Sequence, residues 1–116
     1  MASEITVFFN ARCSKCRQAR DLLLDAGASF ELIEYLESPP SRSDLERILS
    51  LLGTDDPRVI LRSKEALYQE LGLGDANRDT QLDAITEHPG LLERPIVIRG
   101  ERAVVARPPE KLLDLL

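Results

Sequence analysis

The spacing of apolar residues along this chain switches between two periods, and each switch marks an element. Ile5-Thr6-Val7-Phe8-Phe9 is a compact β-branched and aromatic run ended by Asn10, the signature of a buried strand. After Ser14 the period lengthens. Cys16, Ala19, Leu22, Leu23 and Ala26 share one face of a helix that stops at Gly27. Phe30 to Tyr35 returns to strand character. Strand, helix and strand with short links predict a parallel βαβ unit with a right-handed crossover.

Beyond Pro39-Pro40 the pattern is helical. Ser41…Asp44 and Ser43…Glu46 are overlapping capping signals, followed by the stripe Leu45, Ile48, Leu49 and Leu52 and a stop at Gly53. Further helices are predicted from Lys64 to Leu71, closed by Gly72, and from about Thr80 to His88, halted by Pro89. Ile96-Val97-Ile98 and Ala103-Val104-Val105 are then two strands joined through Arg99-Gly100-Glu101-Arg102, a hairpin signal. Pro108-Pro109 opens a terminal helix from Glu110 to Leu116. With the stretch from about 41 to 88 set aside, the order is βαβ followed by ββα. That is the order of an α/β, thioredoxin-like fold: a mixed four-stranded sheet with a helical insertion between its halves, within a single domain spanning 1–116.

Composition narrows the function. At 116 residues and 43 % hydrophobic, the chain has material for one core. Its longest apolar run is far shorter than the roughly 20 residues of a membrane span. The first ten residues read as a strand and not as a signal peptide, so a cytoplasmic location is expected. A net charge of −5 and 4 % aromatic residues disfavour a nucleic-acid or anionic-membrane surface, and a monomer is expected. Lys15, Lys64 and Lys111 are the lysines among 15 basic residues, so an anion site here would use forked guanidinium donors.

Cys13 and Cys16 carry the most chemical information. A C-x-x-C closes too small a loop to staple a domain, and at a strand-to-helix junction it reads as a redox motif. Cys13 falls where unpaired helix N–H groups and the positive end of the dipole favour a thiolate, and Arg12, Lys15 and Arg17 add charge. Zinc would need two more ligands. His88 is the one histidine and reads as a helix-end residue, so no metal is expected. A cysteine-phosphatase loop, Cys-x5-Arg, fails by register because Ala19 stands where the arginine must be. Arg62, Arg94 and Arg107 each sit at the edge of an apolar segment. In a thioredoxin-like order the X-Pro bond before the third strand is commonly cis and faces the nucleophile, which would set Arg94-Pro95 beside Cys13.

Taken together, Asn10-Ala11-Arg12-Cys13-Ser14-Lys15, Tyr35-Leu36-Glu37-Ser38-Pro39-Pro40, Leu61-Arg62, Glu70-Leu71-Gly72-Leu73, His88-Pro89, Arg94-Pro95-Ile96-Val97 and Arg107-Pro108 resemble the small arsenate reductases that work with glutathione and glutaredoxin. The resemblance covers essentially the whole chain. It implies Cys13 as nucleophile, Arg62, Arg94 and Arg107 as oxyanion-binding groups, and Asn10, Ser14 and Pro95 in support. No tightly bound cofactor is implied; glutathione is a co-substrate thiol, and glutaredoxin or thioredoxin recycles the enzyme. Two departures stand out. The family's usual His-Asn-Pro is Phe9-Asn10-Ala11 here, which implies a less acidic Cys13. Cys16 is a second cysteine that could resolve the Cys13 adduct through an internal disulfide and turn recycling towards thioredoxin. Two alternatives share the cysteine motif: a disulfide-sensing regulator of the Spx type, which binds RNA polymerase, and a general glutathione-linked thiol oxidoreductase. Retention of all three arginines favours the reductase.

Overall fold

In a computed structural model of the chain, residues 4–116 are described, and they form two compact units. Among the described residues the first is built from 4–38 and 94–116, the second from 39–93. The helical stretch expected over about 41–88 falls inside the second.

The first unit holds the sheet. Strands β1 (Ile5–Phe9), β2 (Phe30–Glu34), β3 (Ile96–Arg99) and β4 (Arg102–Val105) lie in the order β2-β1-β3-β4. The β1–β2 pair is parallel, with Ile5 opposite Phe30 and Phe9 opposite Glu34; β1–β3 and β3–β4 are antiparallel. Helix α1 (Ser14–Asp25) connects the parallel pair. This mixed sheet is thioredoxin-like, as the element order predicts.

Alternation sorts the strand residues between the faces. Ile5, Val7, Phe9 and Val97 join Cys16, Ala19 and Leu23 of α1 in one buried cluster, together with Leu112 and Leu115 from the chain end. Phe8, Ile96 and Ile98 are buried on the opposite face. Gly27 ends α1 at φ +69°, where the Gly27 and Ala28 amides bond back to the Leu24 and Leu23 carbonyls. In the β3–β4 turn Gly100 has φ +59° while Glu101 does not adopt positive φ, the combination of a type II′ turn.

The terminal segment corrects an expectation. Pro109–Leu115 is a 3-10 helix and not an α-helix. Leu112 and Leu115 are its buried leucines, and a spacing of three puts both on one side of a turn with three residues, a spacing that an α-helix also keeps on one face.

The second unit consists of α2 (Arg42–Leu52), a 3-10 turn (Pro57–Ile60), α3 (Ala66–Glu70), α4 (Arg78–Glu87) and a 3-10 turn (Pro89–Leu91). Of the two capping signals Ser41…Asp44 is used, each side chain bonding the other's backbone N–H. Helix α3 is shorter than its pattern suggests and buries no residue, because Glu65 still has extended backbone where the helix was expected to be under way. Helix α4 starts two residues early, since Asn77 caps the Thr80 amide. Arg42 pairs with Asp79 and Asp83, and Arg78 with Glu46, tying α2 to α4. Leu61 bridges Leu92 as an isolated antiparallel pair. Among the described residues no helix is long and apolar enough to cross a membrane.

Candidate active site

The loop between β1 and α1 is fixed by its own backbone. The Cys13 amide donates to the Asn10 carbonyl at 3.0 Å, the Arg12 amide donates to Asn10 Oδ1 at 3.0 Å, and the Arg17 guanidinium donates to the Ala11 carbonyl at 2.9 Å. Cys13 therefore arrives at the N-cap of α1 with extended backbone, φ −90° and ψ 122°. Serine, aspartate or asparagine is the usual occupant, since an oxygen there bonds the orphan N–H groups of the first turn. The larger sulfur closes no full capping bond, yet the Cys16 and Lys15 amides bear on it and favour its charge.

Burial opposes the thiolate. Cys13 is 9 % exposed, and desolvation alone would push its pKa up. Burial is the largest single effect, but the Arg94 side-chain hydrogen bond, the Cys16 and Lys15 N–H groups and the Cys16 thiol together outweigh it, and the pKa falls from 9.0 to about 7. Cys16 behaves in the opposite way. Fully buried and beside the charge on Cys13, its thiol is pushed up to about 12, against the pull of the Asn10 N–H. The pair thus divides into one nucleophilic sulfur and one protonated neighbour that hydrogen-bonds it. Both are free thiols.

Arg94 reaches Cys13 from the segment entering β3. The Arg94-Pro95 and Arg107-Pro108 peptide bonds are both cis, and the Ala106 amide donates to the Pro95 carbonyl at 2.9 Å. Arg107 Nη1 donates to the Arg94 carbonyl at 2.7 Å. The first unit therefore brings together Cys13, Cys16, Asn10, Arg94, Pro95 and Arg107. Ser14 opens α1 with its side chain exposed. Arg62 lies in the second unit, just past the Leu61–Leu92 bridge. Its amide donates to the Leu91 carbonyl at 2.8 Å, and its guanidinium pairs with Glu65. His88 is exposed and ends α4, donating its amide to the Ala84 carbonyl at 2.8 Å. Among the described residues no group of three or more His, Cys, Asp or Glu side chains is placed to hold a metal.

Sequence reasoning passed over Tyr35. It follows β2, is fully buried, and stands beside Arg94 and Asn10. A signal existed: a tyrosine just past a strand end, before Ser38-Pro39-Pro40, in the parallel neighbour of the strand that delivers Asn10.

Residues 8–115 match the ArsC family profile. The chain is 46 % identical over 115 residues to the arsenate reductase of Neisseria meningitidis serogroup A, covering 97 % of this chain and 98 % of that one. An uncharacterized Escherichia coli protein, YfgD, is 36 % identical over 118 residues, covering 100 % of this chain and 99 % of its own. The solved arsenate reductase from Vibrio cholerae superposes with a TM-score of 0.94 at 41 % identity, each chain covered completely.

Proposed function

The chain belongs to the ArsC family, and from that membership we propose that it is a thiol-dependent reductase of arsenate with Cys13 as its nucleophile. The observation that carries the reading is the Arg94 guanidinium on the Cys13 sulfur, with the thiol poised at about 7. A cysteine at that value is about half ionised at neutral pH, and the cation beside it suits a substrate that brings its own negative charge.

Arsenate is a tetrahedral oxyanion carrying more than one negative charge near neutral pH. Guanidinium forks can hold its oxygens through paired, charge-assisted hydrogen bonds. Arg94 does this beside the nucleophile and Arg107 beside Arg94; the family resemblance adds Arg62 as the third guanidinium. The Cys13 thiolate attacks arsenic, an S–As bond forms, and a protonated oxygen leaves as water. The same cations that favour the thiolate spread the charge of the displacement transition state. A second thiol then attacks the Cys13 sulfur. A disulfide forms, the S–As bond breaks, and its electron pair stays on arsenic, which leaves as arsenite. Two thiols become one disulfide for each arsenate reduced.

Glutathione is the proposed second thiol, with a glutaredoxin restoring Cys13. Cys16 is the rival, because it already hydrogen-bonds the Cys13 sulfur. Its proton holds it back while Cys13 is charged, and capture of Cys13 by arsenic removes that repulsion but not the burial. Mass spectrometry after one turnover separates the two. A Cys13–glutathione adduct that persists unchanged in Cys16→Ser assigns the step to glutathione, whereas an internal disulfide in the wild type assigns it to Cys16 and thioredoxin.

The decisive experiment is arsenate-dependent NADPH oxidation, coupled in parallel to glutathione with glutaredoxin and to thioredoxin. Cys13→Ser and Arg94→Ala should abolish turnover, the arginine variant through weakened oxyanion binding as well as a weakened nucleophile. Wild-type protein inert in both couplings would return the chain to the disulfide-sensing regulator.

A further inference from the structure

The ladder register places one residue at the site whose side chain has no assigned task. Phe9 pairs with Glu34 in the parallel ladder, so Asn10 and Tyr35, each one step further, leave neighbouring strands side by side. Phe8 pairs with Ile96 in the antiparallel ladder, which carries Arg94 up to Asn10 from the other flank. Three adjacent strands thus deliver Tyr35, Asn10 and Arg94 to the end of the sheet where Cys13 caps α1.

Tyr35 is 0 % exposed, and its hydroxyl is buried without a hydrogen bond of normal geometry. Tyrosines buried for packing alone usually still find a partner for that oxygen. A phenylalanine would fill the same space without leaving a polar atom unsatisfied in the core. The groups facing the hydroxyl are the Arg94 guanidinium, the Asn10 side chain and the Cys16 sulfur. The oxygen stands near enough to Arg94 to favour its positive charge. Burial keeps the phenol itself protonated, so it meets Arg94 as a neutral dipole.

We propose that Tyr35 is a positioning residue of this site: its hydroxyl oxygen braces the Arg94 guanidinium from behind and thereby keeps the cation turned towards the Cys13 sulfur. Burying that hydroxyl is then a cost to folding that a loose contact with Arg94 offsets only in part, retained for the sake of the nucleophile, in keeping with the tendency of strain to collect at functional sites. The brace takes its purpose from the reductase reading, but it can be measured without arsenate.

The test is the pH profile of Cys13 alkylation by iodoacetamide on the full chain, for wild type, Tyr35→Phe, Arg94→Ala and the double variant. Tyr35→Phe should move the midpoint upward by about half to one pH unit, a fraction of what a neighbouring cation confers. Its melting temperature should hold or rise, because the ring keeps its packing and the buried hydroxyl, which makes no hydrogen bond of normal geometry, no longer has to be desolvated. In the double variant the midpoint should match that of Arg94→Ala alone, since a brace has no effect once the part it braces is removed. A Tyr35→Phe profile that superimposes on wild type overturns the proposal, and so do shifts that simply add. Should Tyr35→Phe fail to fold, 3-fluorotyrosine at position 35 in a Tyr68→Phe background keeps the ring shape and weakens the oxygen as an acceptor. A smaller upward shift is expected there, and none would overturn the brace. Intact alkylation behaviour in a protein that turns over no arsenate would sink the reductase reading and leave the brace standing.

Discussion

At position 13 two large effects compete, and their difference sets the chemistry. Burial would make the cysteine inert, whereas the Arg94 hydrogen bond and the first-turn amides make it a nucleophile. The sign of its pH dependence follows. With a folded value near 7, below the ordinary 9.0, the reactive thiolate falls to roughly a tenth of the total one unit lower and rises to about nine-tenths one unit higher. Alkylation by iodoacetamide should trace that curve in wild type, and Arg94→Ala should slide it up towards the ordinary 9.0. At pH 7 peptide mapping should find the label on Cys13 alone, because burial holds the Cys16 proton to about 12. Equal labelling of both cysteines would contradict the division of roles. Little of this asymmetry can be read from two letters spaced C-x-x-C. The spacing and the helix start disclose Cys13, but the contrast with Cys16 depends on which sulfur meets the Arg94 guanidinium and which is buried more deeply, and that is a property of the fold. Tyr35 was hidden for the same reason, since only strand register shows what lies beside Arg94.

Elements were legible where periodicity and punctuation agreed. The β1, α1, β2 opening and the β3–β4 hairpin fall within a residue or two of their patterns, as does α2 with its Ser41…Asp44 box. Short helices were less legible. Helix α3 buries nothing, so its apolar residues describe no face, and the terminal Leu112/Leu115 pair fits a threefold turn as well as a helical one. Two substitutions probe the punctuation. Ser41→Ala removes one half of the capping box and should cost about 1 kcal/mol in urea unfolding. Gly27→Ala should cost a similar ~1 kcal/mol, although a methyl group there would meet nothing, because φ +69° is the left-handed region that side chains avoid. A neutral Gly27→Ala would show that the end of α1 can relax into another geometry at no cost.

For the whole molecule, the α/β class and the strand order followed from removing the middle helices, while the division into units did not follow from any composition shift. The first unit is discontinuous: its sheet is completed only by residues from 94 onward. Its core shares this dependence, since Leu112 and Leu115 pack in the same cluster as Ile5, Val7 and Leu23. Leu112→Ala should therefore destabilise the fold by about 2–5 kcal/mol, the cost of a cavity at a fully buried leucine, measurable by chemical denaturation. A loss below about 1 kcal/mol would show the terminal turn to be ornamental to that core.

The discontinuity also has a meaning during synthesis. The sulfur leaves the ribosome early and the guanidinium that sharpens it leaves late, from the segment entering β3. A nascent chain that has not yet reached Arg94 carries a thiol of everyday acidity, slow to meet peroxide or electrophiles. Vulnerability and competence are therefore acquired together, once the segment entering β3 has joined the sheet, and a chain abandoned halfway is chemically quiet.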